Sequence, residues 1–200
     1  MAEEIDSDAI KLILVGDMST GKTNLISVAA GFEFKSECIS TTSCSYIRKK
    51  IIINKKEYKV NLWDTIGQEK YRSLTKIFVK DSKIVIFVYD ITNRESFESL
   101  PYWKKIIDEI LGNDVTLGVI GNKNDLYLQE KVKAKEGKEF ADSIGAKFKE
   151  TSAKDNPKDV SDFIDKMVNV YLKNDKNDNR RDSVKLKKGK KENNEKKGCC

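Results

Sequence analysis

The stretch GDMSTGKT, Gly16 to Thr23, frames four residues between two glycines and follows the second with a lysine and a threonine. Between a strand and a helix, such a loop turns its backbone N–H groups inward and uses the positive end of the helix to hold an anion. Lys22 then supplies a point charge to the outer phosphates of a nucleotide, and the Thr23 hydroxyl ligates Mg²⁺. A glycine turn with a chance lysine is the plainer reading. Its context argues for the cradle, because AIKLILVG precedes it as a short apolar run and a helical stretch follows.

Three further stretches carry complementary chemistry. WDTIGQE, residues 63 to 69, supplies Asp64 for a metal shell and Gly67, whose backbone can approach a terminal phosphate closely. GNKND, residues 121 to 125, ends in Asp125, whose carboxylate can accept from both the ring N–H and the exocyclic amine of guanine, a donor pair adenine lacks. A wrong base leaves buried polar groups unpaired, so this recognition discriminates strongly. Lys123 can lay its apolar stem over the ring, and ETSAK, residues 150 to 154, offers the Ala153 amide to the guanine carbonyl. Each stretch alone is compatible with a surface loop; their order, each after a strand, is what gives them meaning.

The elements that must position these residues alternate. KIVIFVYD (83 to 90) and VTLGVIG (115 to 121) are, like AIKLILVG, Val- and Ile-rich runs suited to strands covered on both faces. SYIRKKIIINKKEYKVNLWD reads as an antiparallel hairpin turning near Asn54 and Lys55. TNRE, residues 92 to 95, has the Thr-x-x-Glu capping pattern, and Phe97, Leu100, Trp103, Ile107, Ile110 and Leu111 follow at helical spacing, as core positions. Asn156 and Pro157 suit a helix start, with Val160, Phe163, Ile164, Met167, Val168 and Tyr171 on one apolar face. This alternation predicts an α/β fold, a mostly parallel sheet with helices on both faces and its ligand beyond the carboxyl ends of the strands.

Together, the phosphate loop, DTIGQ, NKND and ETSAK resemble the Ras superfamily of small GTPases over residues 8 to 172. The ending GCC and the stretch KVNLWDTIGQEKYRSLTKIFVKDS most resemble its Rab family. The likeness implies a P-loop NTPase fold with a six-stranded sheet, one antiparallel edge strand, and GTP or GDP with Mg²⁺ as ligands. It implies a GTPase domain over residues 9 to 172, after a flexible stretch at 1 to 8 and before a tail at 173 to 200. Nucleotide contacts then fall on Asp17, Met18, Ser19, Thr20, Gly21, Lys22, Thr23 and Asn24, on Asp64 and Gly67, on Asn122, Lys123 and Asp125, and on Ser152, Ala153 and Lys154. Phe34 packs edge-on against guanine. Thr41 is the Thr that senses Mg²⁺ and the terminal phosphate; Thr42 competes, but the spacing from Lys22 favours Thr41. Thr23, Thr41 and Asp64 make the metal set, and Gln68, orienting the attacking water, joins Lys22 and Thr41 as the catalytic group.

The chain departs from its relatives at three places. Met18 stands where a small residue is usual, Ser19 where Gly is common, and Ile66 where DTAGQ has Ala. Two readings stay open. Met18 and Ile66 either crowd Gln68 and an activating protein's arginine, worth about 10³ to 10⁵ in rate, leaving a GTP-loaded platform with little turnover; or the flexible Met rotates aside. TTSCSY, residues 41 to 46, is more polar than the usual TIGVDF, which puts partner preference in question, and Cys38 and Cys44 in this region read as structural or incidental thiols, with redox sensing as the alternative. An ATP-using kinase or ATPase is disfavoured by Asp125 and ETSAK.

Composition bounds the rest. The formal charge is +6, from 38 Lys and Arg against 32 Asp and Glu, and residues 173 to 200 hold all of it, with 11 basic and 5 acidic residues. Basicity on a flexible end fits a membrane surface better than nucleic acid, whose binders place Lys and Arg on a folded face. The absence of histidine excludes His-based triads. No apolar run is long enough to span a bilayer, and the acidic start is unlike a signal peptide, so a cytosolic chain with reduced thiols is expected. Residues 174 to 200 contain two large apolar side chains, Val184 and Leu186, too few to offset the entropy of ordering, and are read as disordered. Cys199 and Cys200 resemble the double geranylgeranylation site of Rab proteins, where two lipid chains anchor stably and the lysines before them tune the choice of leaflet. The expected location is therefore the cytosolic leaflet of endomembranes or vesicles, with cycling through cytosol. Exchange factors, GTPase-activating proteins, a GDP-dissociation inhibitor and effectors are the implied partners, with no obligate oligomer.

Overall fold

A computed structural model of the protein describes residues 9–36, 45–65, 77–112 and 114–192, with side chains as far as Asp175. Six strands, β1 (Ile10–Val15), β2 (Ser45–Ile53), β3 (Lys56–Asp64), β4 (Ile84–Asp90), β5 (Thr116–Asn122) and β6 (Lys147–Glu150), form one sheet in the order β2-β3-β1-β4-β5-β6. All neighbouring pairs are parallel except β2 with β3. This is the α/β sheet that the resemblance implies, six-stranded and mostly parallel with one antiparallel edge strand. The helices are α1 (Lys22–Ala29), α2 (Arg94–Glu98), α3 (Leu100–Leu111), α4 (Ala134–Ser143) and α5 (Pro157–Glu192).

The two-residue period of the strands divides the core into two layers. Leu12 and Leu14 of β1, with Ile84, Ile86 and Val88 of β4, face α1 and α5. Ile13 and Val15, with Val85, Phe87 and Tyr89, face α3 and α4. On α5 the buried Val160, Phe163, Ile164, Met167 and Val168 recur at helical spacing, and each side chain of this size stabilises the fold by about 1.5 to 3 kcal/mol on burial. Order in the centre of the sheet reverses at β1, with β3 on one side and β4 on the other, which opens the crevice where such sheets bind ligands.

Two local expectations change. The helix drawn from residue 92 to 111 is two helices. Asn93, not Thr92, caps α2, accepting from the amides of Glu95 and Ser96, while Thr92 turns its hydroxyl to Asp90 at 2.7 Å. Pro101 then opens α3: lacking an N–H and clashing with the preceding turn, it starts a helix rather than continuing one. At the other end, α5 runs to Glu192, beyond the boundary that composition predicts near residue 172. Once the buried stripe has nucleated the helix, each further residue adds a hydrogen bond without a new nucleus.

The hairpin turns where expected. Ile53 pairs with Lys56, and the two turn residues, Asn54 and Lys55, have φ of 51° and 64°, the type I′ geometry that matches strand twist. An L-residue in the left-handed region is strained by roughly 1 to 2 kcal/mol. Lys55→Gly is therefore expected to stabilise the fold by about 1 kcal/mol, read as a higher denaturation midpoint in urea with unchanged slope.

Candidate functional site

The phosphate loop is shaped by contacts that its glycines permit. A Cβ on Gly16 would lie 2.1 Å from the Val88 carbonyl oxygen, and one on Gly21, at φ 90°, would lie 2.3 Å from the Asn122 amide nitrogen. Ser19 adopts φ 64°, a conformation easiest for glycine, which explains why Gly is the common residue there. Gly21 leads into α1 and no side chain caps that helix end, the kind of helix N-terminus whose backbone amides can hold an anion.

Lys22 is buried, and its ammonium donates to the carbonyls of Gly16 at 2.9 Å and Asp17 at 2.7 Å. Burial lowers its pKa from the ordinary lysine value to about 8, against the opposing pull of the Asp64 and Asp17 carboxylates. A polyphosphate beside it would restore full charge.

The metal-side residues meet across 41 positions of sequence. Thr23 Oγ1 donates to Asp64 Oδ2 at 2.8 Å, and Thr65, just past the end of β3, anchors its hydroxyl to the Leu14 carbonyl at 2.6 Å. A hydroxyl and a carboxylate are hard oxygen donors that suit Mg²⁺, which commonly keeps waters and phosphate oxygens as its other ligands. Among the described residues no group of three or more Cys, Asp and Glu gathers to hold a metal.

The base side is joined to the phosphate side by one side chain. Asn122, at the end of β5, donates to the Thr20 carbonyl at 2.8 Å and accepts from the Ala153 amide at 3.2 Å. The Ala153 amide expected to meet guanine is thus engaged by Asn122, and a base carbonyl must share or replace that bond. Ser152, fully buried, donates to Asp125 Oδ1 at 2.6 Å and accepts the amides of Lys154 and Asp155. Lys123, at φ 68°, pairs its ammonium with Asp90 at 2.7 Å.

Other positions complete the rim. The Asn24 amide and the Lys35 backbone exchange two hydrogen bonds, of 3.0 and 3.4 Å, which pins the segment after α1. Phe34 in that segment is half-buried and packs against the α1/α5 core layer. Met18, in the phosphate loop, is 47% exposed. Thr41, its competitor Thr42, Cys38, Cys44, Ile66, Gly67, Gln68, Cys199 and Cys200 lie outside the described residues.

The Ras family profile matches residues 11–173, and the chain is 37% identical over 157 residues to Ras-related protein Rab-21 of Bos taurus, covering 78% of this chain and 71% of that relative. The chain belongs to the Rab family of the Ras superfamily. It is also 38% identical over 155 residues to Rab-21 of Geodia cydonium, with coverage of 78% and 68%, and 35% identical over 165 residues to Ras-related protein Rab-12 of Mus musculus, with coverage of 82% and 68%. Members of this family are GTPases that bind GTP and GDP. In this Rab-family chain the profile ends at 173, next to Leu172, the last apolar residue of α5 packed on the core.

Three supporting residues escaped the motif reading of this Rab-family site. Thr65 lay unremarked inside DTIGQ. Asp90, at the carboxyl end of β4, is 7% exposed and accepts from the Thr92 amide and hydroxyl as well as from Lys123; its place at a strand end was the available signal. Trp103 looked like core alone, yet its indole N–H donates to Asp17.

Proposed function

We propose that this Rab-family GTPase is a Mg²⁺-dependent guanine-nucleotide switch that hydrolyses GTP to GDP and phosphate and acts in intracellular vesicle and membrane traffic. One observation supports the reading: Asn122 ties Thr20 of the phosphate loop to Ala153 of the base loop, which would hold a phosphate subsite and a guanine subsite together. Lys22 would hold the outer phosphates. Asp125 would accept the two guanine donors, with Lys123 across the ring. Thr23 and Asp64, with Thr41, would hold Mg²⁺, which when bound neutralises charge on the phosphates. Gln68 would orient the attacking water.

A partner surface is supported by Tyr46, Trp63 and Phe78, whose rings lie in sequence with centroids 5.0 and 6.5 Å apart. Exchange factors, activating proteins, a GDP-dissociation inhibitor and effectors would read the nucleotide state there and on the adjoining segments. Membrane attachment would come through geranylgeranyl groups on Cys199 and Cys200, placing the protein on the cytosolic face of endomembranes. Among the described residues no helix is long and apolar enough to cross a membrane, so attachment by lipid is the route the sequence offers. Mass spectrometry of the intact protein from its native cells is expected to show two prenyl groups.

Met18, 47% exposed, would together with Ile66 crowd Gln68 and an activating protein's arginine and so slow turnover. In single-turnover GTP hydrolysis with an activating protein, Met18→Ser combined with Ile66→Ala is expected to raise the rate at least tenfold. An unchanged rate removes the crowding idea, and no turnover in either protein favours a GTP-loaded binding platform. Displacement of a bound guanine probe by GTP but not ATP tests the nucleotide class.

A further inference from the structure

Trp103 lies in the first turn of α3, 1% exposed, within the layer formed by Leu100, Ile106 and Ile107. Its indole N–H donates to Asp17 Oδ1 at 2.9 Å, across 86 positions of sequence. A buried tryptophan needs some acceptor for this donor, and here the acceptor is a side chain of the phosphate loop. The backbone carbonyl of the same residue accepts from Lys22 Nζ at 2.7 Å and from the Thr20 hydroxyl at 3.0 Å. Asp17 is therefore the point where the loop's own bonds and a bond from α3 meet.

We propose that Trp103 is a positioning residue for the phosphate loop, holding the Asp17 side chain so that the Asp17 carbonyl keeps Lys22 aimed along the loop. The proposal rests on the guanine-nucleotide reading of that loop. The phosphate-loop pattern leaves the residue after its first glycine free, so this clamp is a feature of this chain's residues rather than a requirement of the motif. It also couples α3 to the loop: a shift of α3 moves the Trp103 donor, and the loop must follow or lose a hydrogen bond to a charged group. The Asp17 carboxylate held in this way is one of the two charges that oppose the effect of burial on Lys22.

The test is a double-mutant cycle read by GDP dissociation in the presence of Mg²⁺. Trp103→Phe keeps an aromatic ring and removes the donor; Asp17→Ala removes the acceptor; Asp17→Asn keeps an acceptor oxygen. Trp103→Phe and Asp17→Ala are each expected to speed GDP release about tenfold, the scale of a lost hydrogen bond to a charged group. The double variant is expected to be no faster than the faster single variant, within about twofold, because both changes break the same bond. Asp17→Asn is expected to release GDP more slowly than Asp17→Ala, because its amide oxygen can still accept from the indole N–H.

A parental rate in Trp103→Phe, or additive effects near a hundredfold in the double variant, overturns the proposal. So does an Asp17→Asn rate equal to that of Asp17→Ala. Should Trp103→Phe fail to fold, the Trp103 indole N–H resonance in the Asp17 variants carries the test: protection from solvent exchange in the parent and in Asp17→Asn, and its loss in Asp17→Ala, are expected. Protection unchanged in Asp17→Ala overturns the clamp. If the parent binds no GDP at all, the nucleotide reading fails, while the indole resonance still decides whether the bond exists.

Discussion

Asp125→Asn is expected to weaken GDP and GTP binding by roughly 10² to 10⁴, since two hydrogen bonds to a charged group are each worth about 1.5 to 3 kcal/mol. The carboxylate would accept from both guanine donors, and its Oδ1 is already oriented by the Ser152 hydroxyl at 2.6 Å. An amide in its place offers one acceptor oxygen and one NH₂ group, so a guanine donor faces a donor. The same NH₂ can donate to a base that carries a carbonyl where guanine carries its amine. Xanthosine diphosphate is therefore expected to gain affinity for the variant as GDP loses it. Competition titration with both nucleotides measures the exchange, and unchanged GDP affinity in folded protein would remove Asp125 from the base site.

The second large effect belongs to Lys22. Lys22→Met keeps the side chain's length and removes its charge, and is expected to weaken GDP binding by roughly 10² to 10³, the loss of charge-assisted bonds to the phosphates. The parent carries a related pH signature. With its pKa lowered by burial to about 8, Lys22 is charged in both free and bound protein below that pH, and affinity is flat. Above pH 8 the free protein has lost the proton while the phosphates restore it on binding, so affinity is expected to fall by up to about tenfold between pH 8 and 9. Stability of the ligand-free fold runs the other way. The unfolded lysine still holds its proton between pH 8 and its ordinary value of 10.5, so folding becomes more favourable as pH rises through that window. Calorimetry at pH 8.5 in two buffers of different ionisation enthalpy is expected to show proton uptake on GDP binding by the parent and none by Lys22→Met.

Much of the site was legible as short motifs because each needs a residue type that few others can replace. Gly16 and Gly21 are required where a Cβ would strike the Val88 carbonyl or the Asn122 amide. A carboxylate at Asp125 and a hydroxyl at Thr23 are likewise chemical requirements, visible without coordinates. The strands were legible for the same reason, since runs such as IVIFVYD must be covered on both faces. The helix boundaries between residues 92 and 111 were not: Thr92 and Asn93 both suit a cap, and only the hydrogen bonds chose Asn93.

The sequence by itself determined which chemical groups this protein can bring to a nucleotide, because motif residues are selected by bonding capacity and local backbone shape. Tertiary structure alone decided which groups hold them in place. Trp103 reaches Asp17, Asp90 reaches Lys123, and Asn122 bridges Thr20 to Ala153. The hydrogen-bonded partners lie from 31 to 102 residues apart in the chain, and Asp90 meets Lys123 because β4 and β5 are neighbours in the sheet. The physical reason is that a hydrogen bond depends on distance in space, and sheet order, with β1 between β3 and β4 and β5 beside β4, sets those distances.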